Sequence, residues 1–223
     1  MTTRYLTSTF LGHSTSADLL CAFTPAAGNA FLKKLLQVSM DGPNVNHKFL
    51  RELKKHLNTE PESPVILDMG SCGLHVVHGA FRTAIQATGW KIVEYLRASY
   101  YLFKDVPARR ADYIRFSKSE LFPQKFCAVR WVENVSVAVR AIQVIPHMIE
   151  YVDGVRREKS FPKCASFTSV SVALTDKLLK AKLAFFSSFA SDLQGFLLEF
   201  QSDAPLAPML YESLMRCVNV LLS

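Results

Sequence analysis

Cysteine is sparse in this 223-residue chain: Cys21, Cys72, Cys127, Cys164 and Cys217 are an odd number with no CxxC pair. That count and spacing exclude a disulfide framework. Long uncharged apolar runs are missing too. The most apolar late stretch, Leu183 to Phe200, carries Asp192, Gln194, Glu199 and serines, so it reads as a water-exposed helix and no membrane partner is expected. Met1 does not lead into a basic region followed by an apolar one, so no secretory signal is read and the cell interior is expected. There is no internal repeat and no low-complexity segment, which excludes solenoids and propellers. Neither a GxxxxGK loop, a GxGxxG fingerprint nor a nucleophile elbow occurs, so P-loop, dinucleotide and serine-hydrolase readings drop out.

What is present is a globular composition, 49% hydrophobic and 20% charged, with enough residues for one large domain or two small ones. The formal net charge is +7, which favours acidic partners such as nucleic acid or an anionic surface. Most of that excess lies between Arg82 and Arg130, where ten lysines and arginines face four acids. Among them are Lys104, Arg109, Arg110 and Arg130, interleaved with Tyr95, Tyr100, Tyr101, Tyr113, Phe116 and Trp131. Charge could hold a phosphate backbone and the rings could stack on bases. A solvated helical face over buried aromatics accounts for the same residues.

Periodicity suggests an α/β front end. Arg4 to Leu11 alternates like a strand, and Leu36 to Met40 and Val65 to Asp68 are short apolar runs that suit buried strands. Each of the latter two precedes a turn and a helix: Gly42-Pro43 opens one running to about Leu57, and Gly70-Ser71 opens one ending near Gly89. A short helix capped by Ser14 or Ser16 is expected to stop at Pro25 and Gly28. From Trp90 onward strand signals nearly vanish. Helices are expected over 92–103, 107–116, 130–158 and 166–223, broken near Pro123, Pro146, Gly154, Pro162, Pro205 and Pro208. The stripe Leu179, Leu183, Phe186, Ala190, Leu193, Leu197 and Phe200 marks a core face.

Asp41 and Asp68 each stand where a short strand would end, the edge at which open α/β sheets bind ligands. Together they could share a divalent cation, or each could merely satisfy backbone donors at a helix start. Cys72, His75 and His78 recur every three residues, near one another on a helix, but a zinc site would need a fourth group from elsewhere.

Three segments, Leu35-Leu36-Gln37-Val38-Ser39-Met40-Asp41-Gly42-Pro43-Asn44-Val45-Asn46, Cys72-Gly73-Leu74-His75-Val76-Val77-His78 and Phe126-Cys127-Ala128-Val129-Arg130-Trp131-Val132-Glu133-Asn134, resemble in order and separation the catalytic-domain core of hAT-superfamily transposases. The resemblance implies a partial RNase H-like sheet over residues 1–131, followed over 132–223 by the start of a helical insertion. It makes Asp41 the second acid of an Asp-Asp-Glu triad, a metal ligand. Cys72 and His75 match the C-x-x-H signature, and Arg130 with Trp131 match an Arg-Trp pair whose tryptophan handles a flipped base. Magnesium or manganese would be bound only if the chain is active. The chain is expected to begin after the strand carrying the first acid and to end before the final glutamate. Asp68 is not a catalytic position in this alignment, and Glu133 is no better a substitute.

The expectation is therefore a transposase-derived, catalytically silent DNA-binding protein or fragment. It would reside in the nucleus and associate with itself or with another chain across an unpaired sheet edge. An active magnesium-dependent nuclease or strand-transferase using Asp41, and a helical protein-interaction module, are the alternatives.

Overall fold

The computed structural model describes residues 5–58, 65–67, 72–201, 206 and 209–222, the last three without their side chains. Among these residues the fold is all-helical, which corrects the expected α/β sheet. Residues 5–11 form neither helix nor strand, with Phe10 exposed. The two apolar runs do lie side by side and parallel, yet they share one isolated bridge, Gln37 to Leu67, rather than strands. The Leu67 N–H donates to the Leu36 carbonyl at 2.9 Å, and the Cys72 N–H donates to the Met40 carbonyl at 2.8 Å. Asp68 lies outside the described residues. With no sheet among the described residues, none of them forms a sheet edge for another chain to complete.

The chain divides into two compact units, with the boundary between Val77 and His78. In the first, α1 (Ser16–Ala27) is capped by Thr15, which forms a reciprocal box with Asp18 in place of the expected serine caps. The Thr15 hydroxyl and backbone hold the Asp18 carboxyl below its ordinary pKa. Pro25 does not stop α1. It sits on an exposed position, and the helix ends only at Gly28, whose φ of 73° lies in a region that favours glycine. A single turn, α2 (Asn29–Leu32), leads to the paired segments and then α3 (Asn44–Leu57). Phe49, Leu53 and Leu57 line one face of α3 and pack with Leu32, Leu35 and Ile66 as the core of this unit.

The second unit is built on α4 (Gly73–Ala87), which spans the boundary, α5 (Ile92–Phe103), α6 (Pro107–Ser117) and α7 (Val135–Arg157). It continues with α8 (Ala165–Ala173), α9 (Leu179–Phe200) and α10 (Leu210–Leu222). α7 packs on α9 and α6, and α5 packs on α8. The late helical region is thus several helices, separated at 158–164 and 174–178. Pro146 and Gly154 stay inside α7. Pro146 is exposed, so the backbone bond it removes lies on the water side, where solvent can compensate. By length and apolar composition Trp131–Arg157 could cross a membrane. Here its stripe Ala138, Ala141, Val144, Met148, Tyr151 and Val155 is buried in the core.

An aromatic cluster joins α5, α6 and α7. Phe103 lies 5.0 Å from Tyr113 and 5.4 Å from Tyr151 between ring centroids, in tilted or edge geometries that suit ring quadrupoles. The Tyr113 hydroxyl donates to the Leu121 carbonyl at 2.8 Å. The Tyr151 hydroxyl is buried without a partner, and burial first, then Asp112, raises its pKa to about 12 against the opposing pull of Arg109.

Two predictions follow from this packing. A Cβ on Gly154 would collide with the Phe116 ring. Overpacking costs about 1–3 kcal/mol, more than the roughly 1 kcal/mol that alanine returns in helix propensity, so Gly154→Ala lowers the urea midpoint. For Tyr151, the unfolded phenol loses its proton near pH 10 while the folded one keeps it to about pH 12. Its contribution to stability is complete below about pH 10 and is lost as pH rises toward 12. Tyr151→Phe, which also removes a buried unpaired hydroxyl, unfolds no more easily at pH 7 and loses less stability across that alkaline window, as thermal melts at a series of pH values would show.

Candidate nucleic-acid interface

The loop between α6 and α7 carries the Phe126–Asn134 segment, and its shape is set by one side chain. Asn134 is 1% exposed. Its Oδ1 accepts the Cys127 N–H at 2.7 Å, and its Nδ2 donates to the carbonyls of Cys127, Arg130 and Trp131 at 3.0, 3.1 and 3.0 Å. An amide is the only neutral side chain with both a carbonyl acceptor and an NH2 donor for such a turn. The loop then winds into a single 3-10 turn, Trp131–Asn134, from which α7 starts. His78, from α4, accepts the Val132 N–H on Nδ1 at 3.3 Å.

The Arg-Trp pair is therefore part of this turn. Trp131 is 7% exposed, packs edge-on to Phe126 at 5.4 Å, and donates its indole N–H to the Ala128 carbonyl at 2.8 Å. Its ring is enclosed rather than offered to an extruded base. Arg130 is exposed and pairs with Glu133 at 3.2 Å.

The other basic residues separate into two sets. Arg109 donates to the Leu102 carbonyl at 3.2 Å, serving the end of α5, and Arg110 lies over the Phe122 ring at 4.0 Å. Arg115 donates to both oxygens of Glu158 at 2.9 and 2.7 Å, bonds that hold its pKa above the ordinary arginine value. Arg97 and Lys125 are exposed and have no carboxylate partner among the described residues. Arg97 and Tyr101 share a face of α5, and Lys104, the residue that caps its C-terminus, follows at helical spacing. The Lys104 ammonium stands 5.9 Å from the Tyr101 ring centre and 3.7 Å from the Asp105 carboxylate. Arg97, Tyr100, Tyr101 and Lys125 surround a cavity of about 360 Å³ whose remaining wall is Phe126, Cys127 and Ala128. Of the residues expected to touch nucleic acid, Lys104 adjoins this cavity through Tyr101. Arg97 and Lys125 lie outside the residues expected to touch nucleic acid, although the Arg97, Tyr101, Lys104 spacing is visible in the sequence.

Asp41, Cys72 and His75 belong to the first unit. Asp41 is exposed and accepts a hydrogen bond from the Asn46 amide across the Gly42-Pro43 turn. Cys72 immediately precedes α4, tied to Met40 through its backbone, and His75 is exposed on the first turn of that helix. Among the described residues no three His, Cys, Asp or Glu side chains converge on a point that could hold a metal ion.

No protein-family model, curated protein or solved structure matches the chain.

Truncating Asn134 to alanine takes a partner from three carbonyls and one N–H; the Arg130 carbonyl keeps the Glu133 N–H at 3.1 Å, and each group left unpaired costs about 1–3 kcal/mol where water cannot reach it. Asn134→Ala is expected to cost about 2–4 kcal/mol in urea unfolding, and Asn134→Asp at least as much, because a carboxylate would face the Cys127, Arg130 and Trp131 carbonyls.

Proposed function

We propose that the chain binds nucleic acid without cleaving it, through the face formed by Arg97, Tyr101, Lys104 and Lys125. The observation that carries this reading is the placement of Arg97 and Lys125, which have no carboxylate partner among the described residues, beside the half-buried Tyr100 ring and the exposed Tyr101 ring around one cavity. Cations follow a phosphate backbone and tyrosine faces accept unstacked bases, a combination suited to single strands. Resemblance of the three segments to hAT-superfamily transposases supports descent from a DNA-handling protein, and nuclear residence with it. Within that resemblance Asp41 matches one acid of the triad, and here its exposed carboxylate accepts from the Asn46 amide, so the reading rests on the cations and rings and not on a metal site.

The test is a titration of the protein with labelled single- and double-stranded DNA at two salt concentrations, with and without magnesium. Single-strand binding is expected, with a log-log salt slope of about −2 from three phosphate contacts. Tyr101→Ala should weaken it by about 1–3 kcal/mol, and Lys104→Glu should flatten the salt slope. Magnesium-dependent products lost in Asp41→Ala would replace this reading with an enzyme.

Absence of binding at low salt would leave a protein-interaction module. That second reading is favoured by α10, where Tyr211, Leu214, Met215 and Val218 form an exposed apolar row at helical spacing.

A further inference from the structure

A second cavity, of about 520 Å³, opens at the start of α8 and is lined by Arg156, Phe161, Lys163, Cys164, Phe167 and Ser171. Five features of it converge. The N-cap residue Cys164 supplies no side-chain hydrogen bond and the first turn holds no acid. The Thr168 N–H makes the first helical bond, to the Cys164 carbonyl at 3.2 Å, so the amides of Ala165, Ser166 and Phe167 precede the helical ladder. Arg156 and Lys163, both exposed and outside any ion pair among the described residues, add two positive charges. Phe161 is 47% exposed and lies nearly parallel to Phe167, 16° apart with centroids at 6.2 Å, so one side of an aromatic stack is open. Ser171 lines the same cavity, is 7% exposed, and its hydroxyl has no partner.

The spacing of these groups defines a ligand. Ser171 stands six residues beyond Ala165, about 9 Å further along the helix at 1.5 Å per residue. One phosphate cannot reach both ends. An anion at the helix start would meet free N–H groups, the positive end of the helix dipole and two cations. The unsatisfied Ser171 hydroxyl would then be answered by a polar atom at the far end of the same molecule, with a ring between them lying on Phe161. The volume is within the range of small-molecule sites.

We propose that this cavity binds an aromatic phosphate monoester bearing a second polar group distal to the phosphate, the chemistry of a nucleoside monophosphate. The proposal is independent of the nucleic-acid reading, which uses other residues.

Cys164 lines the cavity and reports on it directly, through its alkylation rate followed by peptide mass spectrometry of the whole chain. Adenosine monophosphate, adenosine and inorganic phosphate are the probes. The monophosphate is expected to slow Cys164 alkylation about tenfold at saturation, while adenosine and phosphate each change it by less than about twofold. Lys163→Glu should abolish that protection. Ser171→Ala should raise the monophosphate concentration needed by about tenfold, yet leave the melting temperature of the free protein unchanged or higher, because it removes an unpaired buried hydroxyl. Lys104→Glu should leave protection intact while altering DNA binding, which separates the two sites. Failure of the monophosphate to protect Cys164, equal protection by inorganic phosphate alone, or full protection in Lys163→Glu would each overturn the proposal.

Discussion

The buried amide of Asn134 is the interaction on which the second unit depends. Between α6 and α7 the chain runs irregularly, and irregular backbone next to a core must find partners for its carbonyls and amides. Asn134 answers four of those groups at once. Fixing Cys127, Arg130 and Trp131 relative to each other seats Trp131 against Phe126 and presents the Val132 N–H to His78. It also aims the first turn of α7, whose buried stripe packs on α6 and α9. The same loop forms the Phe126–Ala128 wall of the cavity flanked by Arg97 and Lys125, so the candidate interface inherits its shape from this one side chain.

Net positive charge becomes a binding surface only after internal claims on it are met. Arg115 is committed to Glu158 through two short bonds, the bidentate geometry that makes arginine pairs strong. Arg109 is committed to the end of α5. Exposed pairs such as Arg130 with Glu133 and Lys104 with Asp105 add little stability, about 0–1 kcal/mol each, and partly offset the charge that phosphate would meet. Among the described residues Arg97 and Lys125 carry no such claim. The functional question for a basic segment is therefore which cations remain unpaired, and a count of lysines and arginines does not answer it.

Much of the helical part was legible in the sequence. The period of Phe49, Leu53 and Leu57 marks the buried face of α3, Pro107 opens α6, and Gly89 follows α4 with a φ of 67°. The stripe from Leu179 to Phe200 is buried in α9 as far as Leu197, while Phe200 at its end is half-buried. Proline and glycine misled where their environment mattered more than their type. Pro25 and Pro146 occupy exposed positions, where water can serve the orphaned carbonyl, and Gly154 is needed because Phe116 crosses α7 at that point. The role of Trp131 was not legible, because enclosure of a tryptophan depends on a loop whose course is dictated by an asparagine three residues later.

The expected strands failed for a reason that local propensity cannot see. Leu36 to Met40 and Val65 to Leu67 have the composition of buried strands and lie parallel, but a parallel pair gains stability only when further strands flank it and both of its faces are covered. Ile66 reaches the core beside Phe49 and Leu53, whereas Val65 and Leu67 on either side of it are largely exposed, as is Leu36. One covered face supports one bridge. The helices beside it need no such neighbours, since each satisfies its own backbone and requires only one apolar stripe to be covered. The same sequence therefore yields a helical first unit in which Asp41 and Cys72 stay close to a parallel bridge without a sheet to carry them.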